Sequence, residues 1–477
     1  MFTSLPHVPL AANTVSLGAK AGPLRVCVVG TDDAMRWQGL AAAGHQTVFV
    51  DSPAAGSSGV RLADHYAPTH GHLPLRSLCA YHWLSGQAFD LVIFADDFGL
   101  GYYSLVARDL GLAFAETTLA VAADTALAFR LERERRFPQG RTDIEQDFLE
   151  RQVMARADAL ACAGPDFSAW ARAAGWCLPA LAVDDPAALP GGGRVAAKTG
   201  PLPFISVCLA TYNRAELLAQ AVDSLRRQTY ERFELVVVDD GSTDPAVADC
   251  LQGFAPEFAA RGWRILHQDN AGVAVARDRA IRAARGDYVL LMDDDNLALA
   301  HEVERFARAA ASSGADIITC IPGRHPLSDL GPAAVAQLPG PDPLYPRCGI
   351  DWTPVGNCLA LAALVNCLGD CNALYRRAMI VDLGGYHGSP RSSFEDFRYL
   401  LHAVARGYRL EVLPEVLFLY RRHQQSRSMR DNLFLSHVDS LGPLAELMPK
   451  ELWPLLLVAR RDWYDRHMQW AVTEEDE

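Results

Sequence analysis

Three adjacent carboxylates, Asp293-Asp294-Asp295, follow an apolar run that begins at Tyr288. The run has the length of a buried strand, and open α/β sheets bind ligands at the carboxyl ends of their strands. Three neighbouring anions repel one another unless a cation lies among them, and Mg2+ and Mn2+ prefer oxygen ligands. The segment therefore suggests a metal-dependent enzyme that acts on a nucleotide. The alternative is a solvated acidic turn that caps the next helix.

Three further segments place polar groups where a predicted strand gives way to a helix. The segment Thr211-Tyr-Asn-Arg214 lies at a helix start, where donors can hold a base or a phosphate. Asp240 follows the next strand and is either an acceptor for a nucleobase N–H or an ordinary helix cap. The turn Asp269-Asn-Ala-Gly272 precedes a helix that carries Arg277. The combination is much more specific than any one segment.

These segments form an ordered set of motifs. The set comprises Leu209-Ala-Thr-Tyr-Asn-Arg, Ser224-Leu-Arg-Arg-Gln-Thr-Tyr, Val238-Asp-Asp-Gly-Ser-Thr-Asp, Asn270-Ala-Gly and Arg285-Gly-Asp-Tyr-Val-Leu-Leu-Met-Asp-Asp-Asp-Asn. Their order and spacing over residues 203–423 resemble family 2 glycosyltransferases. The resemblance implies a single Rossmann-like, glycosyltransferase A-type fold that binds a nucleotide sugar. It also implies inverting sugar transfer from a nucleotide-diphosphate donor, with a divalent metal (Mg2+ or Mn2+) at an Asp-x-Asp motif.

The resemblance assigns the metal site residue by residue. Asp295 is expected to bind the metal, and Asp293 to lie nearer the ribose or to share the metal. Asp294 stands where the family usually has a small residue, which leaves the division of roles within the triplet open. His423 is a further expected contact to the metal or the diphosphate through its imidazole. Its alternative is an ordinary surface histidine.

The resemblance also assigns the donor site. Thr211, Asn213 and Asp240 fall on base-contacting and nucleoside-contacting positions. Arg277 falls on a nucleotide-contacting position, and Asp293 is shared between the donor and metal sites. The donor is thus expected to be a nucleotide-diphosphate sugar.

Transfer to a hydroxyl also needs a base. Glu395 and Asp396 stand at a predicted helix N-terminus, whose dipole favours an ionised carboxylate, although simple N-capping is the alternative. Their segment matches the family's acidic catalytic motif, so Asp396 is the expected base and Glu395 an acceptor contact or orienting group. The segment around Asp370 resembles the family's acceptor side. Asp370 is expected to hydrogen-bond an acceptor hydroxyl, with a loop cap as the alternative.

The elements that carry these residues predict two Rossmann-like α/β domains. Residues 203–423 form the predicted catalytic domain, residues 184–202 a Pro- and Gly-rich linker, and residues 424–477 a helical C-terminal extension. Residues 23–183 alternate strand and helix patterns, including an expected strand at Leu112–Ala115. This first region resembles the N-terminal half of a two-Rossmann-domain glycosyltransferase. We therefore expect an accessory domain that positions the acceptor or a partner.

Composition limits the class of protein. The 477 residues carry a formal net charge of −13, which argues against a nucleic-acid partner. The 11 cysteines show no paired framework, which favours free thiols in a reducing cytoplasm. No run reaches the roughly 18 apolar residues of a transmembrane segment, and no signal peptide is evident, so a cytoplasmic location is expected. The apolar C-terminal extension is either a peripheral membrane contact or a packed surface.

The expected activity is non-processive transfer of a sugar to a saccharide, a lipid-linked glycan or another hydroxyl acceptor, as in polysaccharide biosynthesis. No Gln-x-x-Arg-Trp motif of a processive synthase stands near the C-terminus. One alternative is a catalytically idle nucleotide-sugar or glycan-binding module in a larger assembly. Another is a sugar-phosphate nucleotidyltransferase, which would need a glycine-rich basic loop after the first strand of the catalytic domain.

Overall fold

A computed structural model gives the structure of the chain. It describes residues 16–18, 20, 22–30, 37–51, 59–66, 72–95, 97–123, 126–161, 164–194, 200–324, 349–350, 352–388, 393–421 and 432–473. The chain separates into two compact units, residues 1–199 and 200–477, and each contains its own sheet.

The first unit alternates strands and helices. Its strands are β1 (Arg25–Val29), β2 (Gln46–Val50), β3 (Leu91–Ala95), β4 (Thr118–Ala122), β5 (Ala159–Ala161) and β6 (Leu181–Val183). Its helices are α1 (Gln38–Ala42), α2 (Leu73–Ser85), α3 (Tyr102–Asp109), α4 (Leu127–Glu134), α5 (Arg141–Arg156) and α6 (Pro165–Ala173). The sheet order is β2-β1-β3-β4-β5-β6, and every pairing is parallel. This is a doubly wound α/β sheet, as the sequence predicts.

The core of the first unit lies against this sheet. Val26, Val28, Leu91 and Ile93 are fully buried, and Trp37 packs with them. Strands buried on both faces read as continuous apolar runs, which is why the sequence indicates them clearly.

The strand expected at Leu112–Ala115 is wrong. Helix α3 ends there instead: the Leu112 N–H donates to the Ala107 carbonyl, and Phe114 has a left-handed φ of 61°. A strand cannot pass through such a turn, and the chain becomes extended only at Thr118, where β4 begins. The fully buried β4 coincides with residues that the sequence pattern did not assign to a strand.

The segment expected to be a linker has local structure where it is described. The Asp185 side chain accepts a hydrogen bond from the Ala187 N–H and caps a short 3-10 helix at Pro186–Ala188. Arg194 pairs with the buried carboxylate of Asp158 at 2.5 Å. Residues 184–194 thus make specific contacts within the first unit.

The second unit contains the remaining elements. Its strands are β7 (Ile205–Thr211), β8 (Phe233–Asp239), β9 (Arg264–His267), β10 (Tyr288–Asp293), β11 (Leu297–Ala298), β12 (Ile317–Arg324), β13 (Gly349–Ile350), β14 (Leu374–Arg376) and β15 (Leu410–Tyr420). Its helices are α7 (Ala215–Arg226), α8 (Pro245–Arg261), α9 (Val273–Ala283), α10 (Glu302–Ser313), α11 (Leu359–Ala362), α12 (Arg377–Asp382), α13 (Glu395–Ala405), α14 (Leu433–Ser440), α15 (Gly442–Ala445) and α16 (Trp453–Thr473).

The second sheet has a parallel half and a mixed half. Its order is β11-β15-β12-β14-β10-β7-β8-β9, with β13 on β12. Strands β10, β7, β8 and β9 pair in parallel, whereas β14 runs antiparallel between β10 and β12. Helix α9 packs against β7 and β8. The predicted fold class is confirmed: two α/β sheet domains followed by a helical C-terminal region.

The C-terminal helices pack against α13. Phe394, which precedes α13, stacks on Trp463 of α16 with ring centroids 5.5 Å apart. Arg460 is buried and donates to the Ala362 carbonyl at 3.1 Å. Near the start of α16, Leu455 and other apolar residues are exposed. Of the helices in the described part of the chain, none is long and apolar enough to cross a membrane.

Candidate functional site

The parallel half of the second sheet brings the predicted donor-site strands to one edge. Asp293 at the end of β10 lies beside Ala210 of β7, and Thr211 lies beside Asp239 of β8. Because these strands run in the same direction, their carboxyl ends meet at the edge where such sheets bind ligands.

Asp240 holds two loops together at this edge. Its carboxylate is buried and accepts hydrogen bonds from Gln268 Nε2 at 2.7 Å and from the Ala271 and Gly272 N–H groups at 2.9 Å. Gly241 is needed beside it: its φ is +73°, and an added Cβ would lie 2.6 Å from the Asn270 backbone nitrogen. Asp240, a predicted nucleoside contact, is therefore bonded within the protein and fixes the segment from Gln268 to Gly272.

Asn213 connects the ends of β7 and β8 in a similar way. Its amide oxygen accepts from the N–H groups of Thr243 and Asp244 at 2.8 and 3.0 Å. Its φ of 54° lies in the left-handed region, which Asn tolerates better than most residues. These bonds set the position of its side chain before any ligand binds.

The three carboxylates of the acidic triplet differ in burial. Asp294 is buried and accepts from Thr211 Oγ1 at 2.7 Å, so the predicted donor contact Thr211 is bonded to the middle carboxylate. The side chains of Asp293 and Asp295 are 29% and 15% exposed. Burial raises the pKa of Asp294 to about 6, against the opposing effect of Arg214. Asp294 thus makes its contacts inside the protein, whereas Asp293 and Asp295 are partly exposed at the edge of the sheet.

Arg214 pairs with two members of the triplet. Its Nη1 donates to Asp294 Oδ1 at 2.9 Å and to Asp295 Oδ2 at 3.0 Å. The sequence analysis quoted this arginine within its motif but gave it no role. Its position one residue after Asn213, at a strand end that faces the acidic triplet, was the available signal.

Arg277 connects the triplet to the expected catalytic helix. It is buried, its Nη2 donates to Asp293 Oδ1 at 2.5 Å, and its Nη1 donates to Glu395 Oε1 at 2.9 Å. Its guanidinium also lies 5.8 Å from the centre of the Tyr386 ring. Arg277 therefore spans two carboxylates that are far apart in the sequence.

Asp370 and Asp396 lie within electrostatic range of each other and of Asp293. Burial, and then the charges of Asp396 and Asp293, raise the pKa of Asp370 well above its usual range. Burial, and then Glu395, raise the pKa of Asp396 to about 7. Asp396 Oδ1 accepts from the Phe397 N–H at 2.7 Å, at the start of α13. The predicted base and acceptor residues thus belong to one acidic cluster.

Two local features position Asp370. Gly369 has a φ of +136°, and an added Cβ would lie 2.6 Å from Thr319 Cβ, so only glycine fits this approach to β12. The Asn372 N–H donates to Asp370 Oδ1 at 2.9 Å. The Asp370 carboxylate therefore accepts a bond within its own loop.

The sequence analysis missed two groups next to the cluster. Tyr420, at the end of β15, lies close enough to Asp370, Asp295 and Asp293 that burial and then these charges raise its pKa. Arg421 donates to the Asp295 carbonyl and to Gln220. Both residues lie in the segment Tyr420-Arg-Arg-His423, which ends at the expected metal contact. His423, the other expected metal contact, lies outside the described residues.

The partly exposed carboxylates of Asp293 and Asp295 suit a hard cation that a diphosphate also binds. No three His, Cys, Asp or Glu side chains in the described ranges are grouped to hold a metal ion by themselves. Mg2+ is commonly held by one or two carboxylates together with substrate phosphates, and Asp293 and Asp295 supply two such groups. The carboxylate ligands at this edge of the sheet therefore fit a divalent metal that arrives with a nucleotide diphosphate.

Comparison with known proteins identifies part of the second unit. Residues 206–337 match the family model "Glycosyl transferase family 2". The putative glycosyltransferase EpsH of Bacillus subtilis is 31% identical over 120 residues, which cover 25% of this chain and 33% of EpsH. A PGL/p-HBAD biosynthesis glycosyltransferase of Mycobacterium tuberculosis is 40% identical over 114 residues, 24% of this chain and 42% of that protein. The chain thus matches less than half the length of either relative.

Solved structures give weaker likenesses. The mannosyltransferase PcManGT from Pyrobaculum calidifontis, in complex with GDP-Man and Mn2+, has a TM-score of 0.41 and 19% identity, covering 58% of this chain and 76% of that one. TarS 1-349 from S. aureus has a TM-score of 0.37 and 17% identity, covering 57% and 91%. On the sequence match, residues 206–337 of this chain are similar to glycosyl transferase family 2.

Proposed function

We propose that this protein is a metal-dependent, inverting glycosyltransferase that transfers one sugar per encounter from a nucleotide-diphosphate donor to a hydroxyl acceptor. The observation that carries the proposal is the convergence of Asp293, Asp370 and Asp396 around buried Arg277 at the ligand-binding edge of the family 2 domain. An idle binding module would not require a base beside the metal carboxylates.

The donor side is assigned to the ends of β7, β8 and β10. Asp293 and Asp295 would hold the metal, which supplies positive charge to the departing diphosphate. Asp240 and Asn213 fix the two loops that border the nucleoside site, through the bonds described above. Thr211 holds Asp294 in the interior, which leaves the outer carboxylates directed to the donor.

The acceptor side is assigned to the start of α13 and the loop before β14. Asp396 removes the proton from the attacking hydroxyl, and a pKa of about 7 suits a base that works near neutral pH. Glu395 is bonded to Arg277, so we assign it an orienting role. Asp370 is assigned to an acceptor hydroxyl. We take the acceptor to be a saccharide or a lipid-linked glycan.

Calorimetric titration of nucleotide diphosphates and their sugars tests the donor half of this proposal. The panel is run with Mn2+ and again with a chelator. We expect one nucleotide to bind only with Mn2+, and Asp295→Ala to abolish that difference. Asp249→Asn, a change of an exposed carboxylate on α8, should leave binding unaltered. A folded wild-type protein that binds no nucleotide would favour the idle module instead.

For the first unit we propose acceptor positioning, on the resemblance of residues 23–183 to the N-terminal half of a two-domain glycosyltransferase. Because residues 1–199 and 200–477 are separate compact units, each can be tested alone. A shortened chain of residues 200–477 should bind the donor normally but lose activity on the native acceptor. Full activity of that shortened chain would contradict the assignment.

A further inference from the structure

Two positively charged groups can bind the Asp295 carboxylate. One is the divalent metal of the proposed function, on which this inference rests. The other is Arg214, whose Nη1 lies 3.0 Å from Asp295 Oδ2. We propose that Arg214 is a positioning residue that competes with the metal for Asp295 and moves fully onto Asp294 when the metal binds.

The competition follows from distance and charge. Mg2+ sits about 2.0–2.1 Å from a carboxylate oxygen, so a metal on Asp295 Oδ2 would lie within a few ångströms of the Arg214 guanidinium. Two positive groups that share one oxygen repel each other, most strongly where solvent screening is weak. The side chain of Asp295 is only 15% exposed. The cation that binds less well must therefore withdraw from this oxygen.

Asp294 can keep the Arg214 guanidinium as a partner after it leaves Asp295. The same Nη1 already donates to Asp294 Oδ1 at 2.9 Å, and the Asp294 side chain is only 5% exposed. Thr211 holds the other oxygen of this carboxylate in place. A buried carboxylate that loses its paired cation is strongly unfavourable, so Arg214 keeps a partner at Asp294 after it leaves Asp295.

The other arginine of the site differs in this respect. Arg277 is buried on all sides, and its two ends are tied to Asp293 and Glu395, which lie on different elements. Moving it would leave a buried carboxylate without its cation. The side chain of Arg214 is 23% exposed, and its Nη1 contacts Asp294 and Asp295, which are adjacent in the sequence. Of these two arginines, Arg214 can change its position more easily, because its side chain is more exposed.

This arrangement predicts how the metal and the donor cooperate. Arg214 lowers the affinity of the site for the bare metal, because it must first be shifted from Asp295. A diphosphate that arrives with the metal adds further oxygen ligands and offsets that cost. Metal binding alone should thus be weak, and the nucleotide diphosphate should strengthen it.

The test measures Mn2+ binding by the full chain without nucleotide, from the electron paramagnetic resonance signal of free Mn2+. Arg214→Gln should bind Mn2+ at least about fivefold more tightly than wild type, as expected when one positive charge is removed from the immediate vicinity. Arg226→Gln is the matched control, because Arg226 lies at the end of α7 and pairs with Glu257 instead. It should leave Mn2+ affinity unchanged.

Asp294→Asn provides a second variant if Arg214→Gln does not fold. It removes the alternative carboxylate, so Arg214 should hold Asp295 more firmly and Mn2+ affinity should fall at least about threefold. Unchanged or weaker Mn2+ binding by folded Arg214→Gln would overturn the competition and would mean that Arg214 orders Asp295. Failure of the wild type to bind Mn2+ even with nucleotide diphosphates would instead overturn the proposed metal-dependent function.

Discussion

Arg277 donates a hydrogen bond to Glu395 at 2.9 Å, across 118 positions of sequence. The same guanidinium donates to Asp293, so the strand that ends in the metal-motif carboxylates is connected to the helix that begins with the expected base. A single buried cation thus holds the proposed donor and acceptor sides of the site in one geometry. A substitution of Arg277 is therefore expected to disturb the site even though every proposed metal ligand stays in place.

Removal of this cation should destabilise the second unit. Arg277→Met leaves two carboxylates without their partner, and we expect a loss of about 3–5 kcal/mol in the free energy of unfolding, as for other broken buried ion pairs. Urea unfolding measures the loss. Arg261→Met serves as the control, because Arg261 is 46% exposed and pairs with Glu257 within one helix. Equal stability of the two variants would contradict the spanning role of Arg277.

Asp396→Asn should abolish transfer and spare donor binding. The substitution removes the proton acceptor but keeps the size of the side chain, so the turnover number should fall by at least about a hundredfold. The dissociation constant of the donor, measured by calorimetry, should change little. Asp249→Asn should keep full activity. Substantial remaining transfer by Asp396→Asn would mean that the base is another residue.

The rate of transfer should rise with pH through the neutral range. Burial, and then Glu395, raise the pKa of Asp396 to about 7, and a base acts only in its ionised form. The turnover number at saturating donor should therefore be low near pH 5.5 and should reach a plateau above about pH 8. Initial rates in a series of buffers at constant ionic strength measure this dependence. A flat profile across the interval would argue against a perturbed Asp396 as the base.

Glu302 is a buried acid that contacts Asn372, in the loop of Asp370. Asn372 Nδ2 donates to Glu302 Oε1 at 2.5 Å, and Glu302 is fully buried at the start of α10. Burial raises its pKa from 4.5 to about 8. A protonated Glu302 can donate from its second oxygen to the Asn372 amide oxygen, which would satisfy both groups. The second of these two bonds forms only when Glu302 is protonated.

Stability should follow the proton on Glu302. Because the folded pKa is the higher one, the contribution of Glu302 is fully present below pH 4.5 and is lost as the pH rises towards 8. Glu302→Gln has no proton to lose and can make the same two bonds. Its free energy of unfolding, relative to wild type, should increase between pH 5 and pH 8 in urea titrations.

Glu304→Gln is the matched control for this pH effect. Glu304 lies on the same helix, and its hydrogen bond from Thr229 lowers its pKa instead of raising it. Its contribution is present above the ordinary pKa and is lost only as the pH falls below it. The difference between Glu304→Gln and wild type should thus stay constant from pH 5 to pH 8. A constant difference for Glu302→Gln as well would mean that Glu302 is already ionised at pH 5.

The sequence alone determined where the strands of the proposed donor site end. The apolar runs of β7 and β10 stop at Thr211 and Asp293, and both strands form within one residue of the predicted ends. Such runs depend on side-chain alternation and burial along a few neighbouring residues, which the chain order contains. The same local pattern failed at Leu112–Ala115, where a left-handed turn interrupts the apolar run. It also predicts a strand only over Glu411–Leu413, whereas β15 spans Leu410–Tyr420.

The tertiary structure decided how the charges are arranged. Arg277, Asp293 and Glu395 meet only because β10, α9 and α13 converge, and no spacing in the sequence indicates that contact. Burial distinguishes Asp294 from its two neighbours, although the three residues are chemically identical. Desolvation and long-range ion pairing depend on what surrounds a group in space, so the roles within the acidic triplet follow from packing and not from residue type.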